Sequence, residues 1–181
     1  MNYKPISLLS NFSKIFEKLI YKRLKIFLEK NFVLYEKQYG FRDKYSTQHA
    51  LIDIVNNIQN NMEEKLFSCG IFLDLKKAFD TVDHSILLHK LDHYGVRGIV
   101  NNWFKSYLID RVQTTQCGDN ISTKETTRYG VPQGSVLGPL LFLIYINDIC
   151  VSSKVFQFYL FADDTNILYA EKNLNSLETV C

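Results

Sequence analysis

Phe161-Ala162-Asp163-Asp164 places two adjacent carboxylates at the end of an apolar run, Val155 to Ala162, with a second apolar run, Ile167 to Ala170, just beyond. Two short β-rich runs separated by a few polar residues predict a hairpin with Asp163 and Asp164 at its tip. Like charges about 4 Å apart repel by roughly 4 kcal/mol at an effective dielectric of about 20. A pair of this kind is therefore either a solvated polar turn or a holder for a cation. A third carboxylate favours the cation: Asp74 ends Ile71-Phe72-Leu73-Asp74, another apolar run that reads as a strand. Two strands that each deliver Asp at the same end can build a site for two Mg²⁺ ions, which suits phosphoryl or nucleotidyl transfer.

The rest of the composition is consistent with an ordinary folded domain. At 181 residues, 46% hydrophobic, 22% charged and 14% aromatic, the chain can bury a real core and is not of the disordered class. Its net charge of +2 gives no whole-protein case for nucleic acid, so any basic surface must be local. Cys69, Cys117, Cys150 and Cys181 are widely spaced, which predicts reduced, buried thiols inside a cell. Lys14, Lys18, Lys22 and Arg23 break up any signal-peptide pattern, and the longest uncharged stretch with few polar residues, Val136 to Ile146, is too short to span a bilayer.

Upstream of the third carboxylate, Phe12, Ile15, Phe16, Leu19, Ile20, Leu24, Phe27 and Leu28 recur at helical spacing, and Ser10 or Asn11 can cap the helix. Lys14, Lys18, Lys22 and Lys25 form a basic stripe on the other face, which suits either solvent or a phosphate backbone. Gln38-Tyr39-Gly40-Phe41-Arg42 predicts a loop whose Arg is either solvated or bound to phosphate. Ser46 or Thr47 can cap a second helix with apolar Leu51, Ile54, Val55, Ile58 and Met62.

Downstream, Asp83 is placed to cap a helix that buries Leu87, Leu88, Leu91 and Tyr94 and stops at Gly95. Ile99, Trp103, Phe104, Tyr107 and Leu108 mark another helix, and Arg111 to Arg128 predicts a polar hairpin turning at Cys117-Gly118-Asp119-Asn120. Gly130-Val131-Pro132-Gln133-Gly134-Ser135-Val136-Leu137-Gly138-Pro139 then opens an apolar helix to about Ile149. Its glycines let backbone approach a flat ligand or simply make a tight turn, and the helix N-terminus offers N–H groups to an anion. The order of residues excludes an ordinary P-loop.

Together these stretches resemble the reverse transcriptase domain of non-LTR, jockey-like retrotransposons over nearly the whole chain. Tyr3-Lys4-Pro5-Ile6-Ser7-Leu8-Leu9 is similar to the family's first motif, and Gln38 to Arg42 to its fingers motif. Phe72 to Asp80 is similar to motif A, Gly130 to Leu141 to motif B, and Phe161 to Asp164 to motif C. The resemblance implies an α+β, right-hand polymerase in which about 1–66 form mainly fingers and about 67–181 mainly palm, a small antiparallel sheet packed on helices. It also implies a chain that stops before the thumb and has no endonuclease ahead of it.

In family terms Asp74, Asp163 and Asp164 are the catalytic ligands of two Mg²⁺ ions, with Mn²⁺ as a substitute; because adjacent carboxylates cannot point the same way unless the turn twists, Asp163 is expected to be the stronger shared ligand. Phe79 gates the sugar, while Gln133 and Gly134 touch the incoming nucleotide or the template. Lys4 and Arg42 lie at finger positions associated with the triphosphate; Lys4 stands where Arg is usual, so a point charge replaces a bidentate fork. The resemblance further implies an RNA template, a DNA primer and dNTP as partners, no membrane, and a location in nucleus or cytoplasm. Oligomeric state is left open. Two alternatives are a catalytically silent nucleic-acid-binding remnant and a two-metal nuclease; a sugar gate and motif B count against the nuclease, because hydrolysis needs neither.

Overall fold

The computed structural model describes residues 6–174 and divides the chain into two compact units, each discontinuous in sequence. One joins Met1–Val33 to Lys77–Ile146; the other joins Leu34–Lys76 to Asn147–Cys181. These boundaries follow compactness, whereas the division near residue 66 follows expected role.

The second unit carries the sheet. Helix α2 (Thr47–Glu63) is capped by Ser46, whose hydroxyl accepts from the His49 N–H. Strands β1 (Phe67–Asp74), β6 (Gln157–Phe161) and β7 (Asp164–Glu171) form an antiparallel sheet in the order β1-β7-β6. Tyr39, Ala50, Tyr159 and Leu168 make a small core with Ile54, Ile58 and Phe161, so α2 lies on the sheet face that carries Tyr159 and Phe161. This is the α+β arrangement expected, a small antiparallel sheet packed on a helix. Leu51, Val55 and Met62 point to solvent, so the helical period located the apolar stripe but only Ile54 and Ile58 are covered.

The first unit is helical. Helix α1 (Asn11–Lys30) starts at Ser10, whose hydroxyl accepts from the Ser13 N–H. Helices α3 (His84–His93) and α4 (Ile99–Leu108) precede two small two-stranded ribbons. The ribbons are β2 (Val112–Gln113) with β5 (Glu125–Thr126), and β3 (Gln116–Cys117) with β4 (Asn120–Ile121). Helix α5 (Gly138–Ile146) is apolar all round and almost wholly buried, as such a helix must be. Each fully buried Leu, Ile or Phe on it stabilises the unit by about 1.5–3 kcal/mol.

Several expectations need correction here. The apolar face of α1 is buried only at Leu24 and Leu28, whereas Phe12, Ile15, Phe16 and Leu19 are exposed; periodicity gives the stripe and not its cover. Helix α5 begins at Gly138 and gives way at Asn147 to a 3₁₀ turn that reaches Val151. Cys117 is exposed, in the wholly exposed β3–β4 hairpin, and Cys69 and Cys150 are half-buried, so buried thiols are not the rule. No helix among the described residues is long and apolar enough to cross a membrane.

Candidate active site

The hairpin β6–β7 turns through Ala162 and Asp163, with Phe161 paired to Asp164. Ala162 has φ 57° whereas Asp163 stays out of the left-handed region, the pattern of a II′ turn with a non-glycine at its first central position. The β1–β7 register sets Asp74 directly across from Asp164. Cross-strand partners share a face of the sheet, with Cβ atoms about 4.5–5.5 Å apart, and like charges there are destabilising. Asp74 and Asp164 are exposed and Asp163 half-buried. The structure therefore brings the three predicted carboxylates to one end of one sheet, with Asp164 rather than Asp163 opposite Asp74.

Three aspartates offer the all-oxygen donor set that hard divalent cations take. They are not drawn into a cage: among the described residues no group of three or more His, Cys, Asp or Glu is gathered to hold an ion unaided. Mg²⁺ does not require one, since it keeps several waters and takes one or two carboxylates with substrate phosphates. The donors and their mounting fit such an ion.

Arg42 lies in the same unit. One guanidinium nitrogen donates to the carbonyls of Tyr35 (2.9 Å) and Gln38 (3.1 Å), and the group lies 4.4 Å from the Tyr45 ring centre. That end of the fork is engaged in fixing the loop. Lys4 falls outside the described residues.

In the other unit the structure joins Phe79 to the glycine-rich loop. The Val131 N–H donates to the Phe79 carbonyl (2.8 Å) and the Gly130 N–H to the Val82 carbonyl (2.7 Å), while a His84 ring nitrogen lies 2.8 Å from the Gly130 carbonyl. Gly130, at φ 87°, approaches so closely that a Cβ there would lie 2.9 Å from the Asp80 Cα. Phe79 is half-buried in a 3₁₀ turn, Ala78–Asp80, and stacks on Phe142 with ring centres 4.6 Å apart. Gln133 is half-buried and its carbonyl accepts from the Ser7 N–H, while Gly134 is exposed at φ 93°.

The expectation that the N-terminus of α5 presents N–H groups to an outside anion is overturned, because the chain supplies its own. Glu17 of α1 is 2% exposed, and its carboxylate accepts from the N–H groups of Val136 (2.6 Å) and Leu137 (3.3 Å) and from the Tyr107 hydroxyl (2.9 Å). Ser135 takes the next N–H, that of Gly138, at 2.9 Å. Of the three loop glycines, 130 and 138 serve contact with the chain itself, and a Cβ at Gly138 would lie 2.7 Å from the Ser135 hydroxyl. Sequence reasoning passed over Glu17, although it sits seven and eleven residues before Leu28's stripe partner Leu24 and Leu28 itself, an acid on a buried stripe.

Burial, with Glu17 beside it, pushes the Tyr107 hydroxyl up to about 12. The raised value favours the protonated hydroxyl in the folded state. Its contribution is complete below the unfolded value near 10 and is lost as pH rises through about 12. Tyr107→Phe is expected to flatten the alkaline fall in stability, read by urea unfolding at about pH 9 and about pH 11.5; an unchanged slope contradicts this assignment.

Known proteins resemble this chain in sequence and in fold. A family model described as reverse transcriptase (RNA-dependent DNA polymerase) matches residues 1–180. The probable RNA-directed DNA polymerase from transposon BS of Drosophila melanogaster is 34% identical over 187 residues, covering 96% of this chain and 20% of that protein. The RNA-directed DNA polymerase from mobile element jockey of the same species is 33% identical over 180 residues, with the same coverage, 96% and 20%. The chain thus spans about a fifth of the length of these curated relatives. Apo telomerase from Candida tropicalis has a similar fold, with a TM-score of 0.65 at 11% identity over 91% of this chain and 33% of that one.

Proposed function

Because the chain belongs to the reverse transcriptase family, we propose that it copies RNA into DNA for a mobile element, supplying the fingers (about 1–66) and palm (about 67–181) that add a dNTP to a primer 3′ hydroxyl. The observation that carries the reading is the cross-strand pair Asp74 and Asp164 with Asp163 in the adjoining turn. A like-charge pair in direct register weakens a sheet unless something offsets it. Two Mg²⁺ ions held there, or Mn²⁺ in their place, would supply activation of the nucleophilic hydroxyl and neutralisation of the leaving pyrophosphate.

The chain's own part is positioning. Asp74, Asp163 and Asp164 hold the phosphate end of the reaction. Gln133 and Gly134 contact the nucleotide or template, and in Gly134 the absence of a Cβ keeps the exposed backbone open to a flat partner. Arg42 and Lys4 attract the triphosphate. RNA template and DNA primer are the partners, which places the activity inside the cell, in nucleus or cytoplasm.

Phe79 is the sugar gate in this reading. Overpacking against a 2′ hydroxyl costs roughly 1–3 kcal/mol, or about a 5- to 150-fold preference for deoxynucleotides. Because the ring also stacks on Phe142, Phe79→Ala is expected to lower the melting temperature and, independently, to remove much of that preference. Single-nucleotide incorporation of ribo- against deoxynucleotides separates the two roles: an unchanged ratio leaves Phe79 a core residue only.

Binding to primer–template is expected to be weak and steeply salt-dependent, since phosphate contacts dominate and Lys14, Lys18 and Lys22 lie exposed along α1. Fluorescence titration at two salt concentrations checks it, and tight, salt-insensitive binding counts against it. The direct test of function is Mg²⁺-dependent, RNA-templated incorporation by a chain extended to the length of its relatives. Binding without incorporation would favour a silent remnant instead.

A further inference from the structure

The segment Lys37–Tyr39 runs parallel to the outer edge of β6. The Tyr39 N–H donates to the Leu160 carbonyl (2.8 Å) and the Leu160 N–H to the Lys37 carbonyl (2.9 Å). Gln38, between them, is 1% exposed. Its side-chain carbonyl accepts from the N–H of Gly40 (2.9 Å) and from the N–H of Ala162 (3.1 Å), the residue that opens the turn to Asp163. With the amide reversed, two donors would face two donors, so these partners settle its orientation.

Two further observations show what the contact does. Ala162 is buried and has φ 57°, a conformation that a residue with a Cβ keeps only when its surroundings hold it. Gly40 supplies part of the hold: a Cβ there would lie 2.2 Å from the Ala162 nitrogen. Meanwhile the Gln38 amide nitrogen is buried without a hydrogen-bond partner. That unpaired donor costs free energy, which the two hydrogen bonds to the side-chain carbonyl offset.

We propose that Gln38 is a positioning residue for the aspartate turn: its side-chain carbonyl, with the close approach of Gly40, locks Ala162 in its left-handed conformation and so fixes the direction in which Asp163 leaves the turn. This rests on reading Asp74, Asp163 and Asp164 as ligands of a divalent cation. Gln suits the place because the carbonyl must reach Ala162, two residues beyond its partner Leu160 and just past the end of β6, and Gly40, two residues along its own segment, and a carboxylate would add a fourth negative charge near the three aspartates.

The test uses Gln38→Met, which keeps the shape and loses the acceptor, and Gln38→Glu, which keeps the acceptor. Three quantities are measured on the 181-residue chain: amide hydrogen exchange at Ala162 by NMR, Mn²⁺ binding by the EPR signal of the free ion, and the melting temperature. In Gln38→Met the Ala162 amide is expected to exchange at least about tenfold faster and Mn²⁺ to bind about 10- to 100-fold more weakly, the usual scale for a residue that orients a ligand. Gln38→Glu is expected to keep Ala162 protected.

If Gln38→Met does not fold, Gly40→Ala, which displaces the same turn from the backbone side, is expected to give the same two losses. Unchanged exchange at Ala162 overturns the clamp. Faster exchange with unchanged Mn²⁺ affinity, in a chain whose wild type binds Mn²⁺, overturns the positioning role and leaves a structural one. Failure of the wild-type chain to bind Mn²⁺ overturns the reading of the aspartates, and that outcome is seen without any variant.

Discussion

Asp74→Asn and Asp163→Asn are each expected to abolish Mg²⁺-dependent primer extension by a chain extended to the length of its relatives, by about 10³-fold or more. Lewis-acid stabilisation at a transferring phosphoryl group supplies several kcal/mol, and about 4 kcal/mol corresponds to about 10³ in rate. The fold should survive, because both residues lie at the end of the sheet, Asp74 exposed and Asp163 half-exposed. Removing a charge opposite or beside Asp164 relieves repulsion, so the metal-free melting temperature should hold or rise. Extension that persists in either variant removes that residue from the metal site.

Glu17→Ala is expected to cost about 3–5 kcal/mol of stability, the largest effect outside the aspartates. It strips the acceptor from two backbone N–H groups and from the Tyr107 hydroxyl. Each buried donor left unsatisfied costs about 1–3 kcal/mol, less where water or a shift of backbone reaches it. Glu17→Gln keeps one carbonyl oxygen and should cost clearly less. Chemical unfolding of both variants measures the difference. A loss under about 1 kcal/mol in Glu17→Ala would show that α5 does not depend on this carboxylate for its start.

What the sequence made legible was what local physics decides. The β6–β7 hairpin and the delivery of Asp74 follow from apolar runs ending in aspartate. Ser10, Ser46 and Asp83 announce helix starts because a short acceptor before a periodic run has one main use, and in Asp83 the hydrogen bonds from Ser85 and Ile86 also lower its carboxyl pKa. Long-range pairing was not legible. Glu17 and Lys18 are adjacent charges in the same helix, and nothing local says that one is buried against a loop more than a hundred residues away.

The glycines taught the same lesson. Gly130 and Gly134 look alike in the sequence, yet one presses on the Asp80 backbone and the other faces solvent. Gln38 was visible as part of a motif, but its use depends on β6 lying beside it, a parallel contact between residues 122 positions apart for Gln38 and Leu160. Phe12 and Phe16 on α1 show the opposite error, an apolar stripe that the described chain does not cover.

Addition of a single nucleotide to a DNA primer on an RNA template, by a chain extended to the length of its relatives, tests the central claim most directly. The account predicts incorporation of the complementary dNTP in Mg²⁺, none when the metal is chelated, and none in Asp163→Asn under the same conditions. Mg²⁺-dependent shortening of the primer or template, or stable binding of both with no nucleotide added, would contradict it.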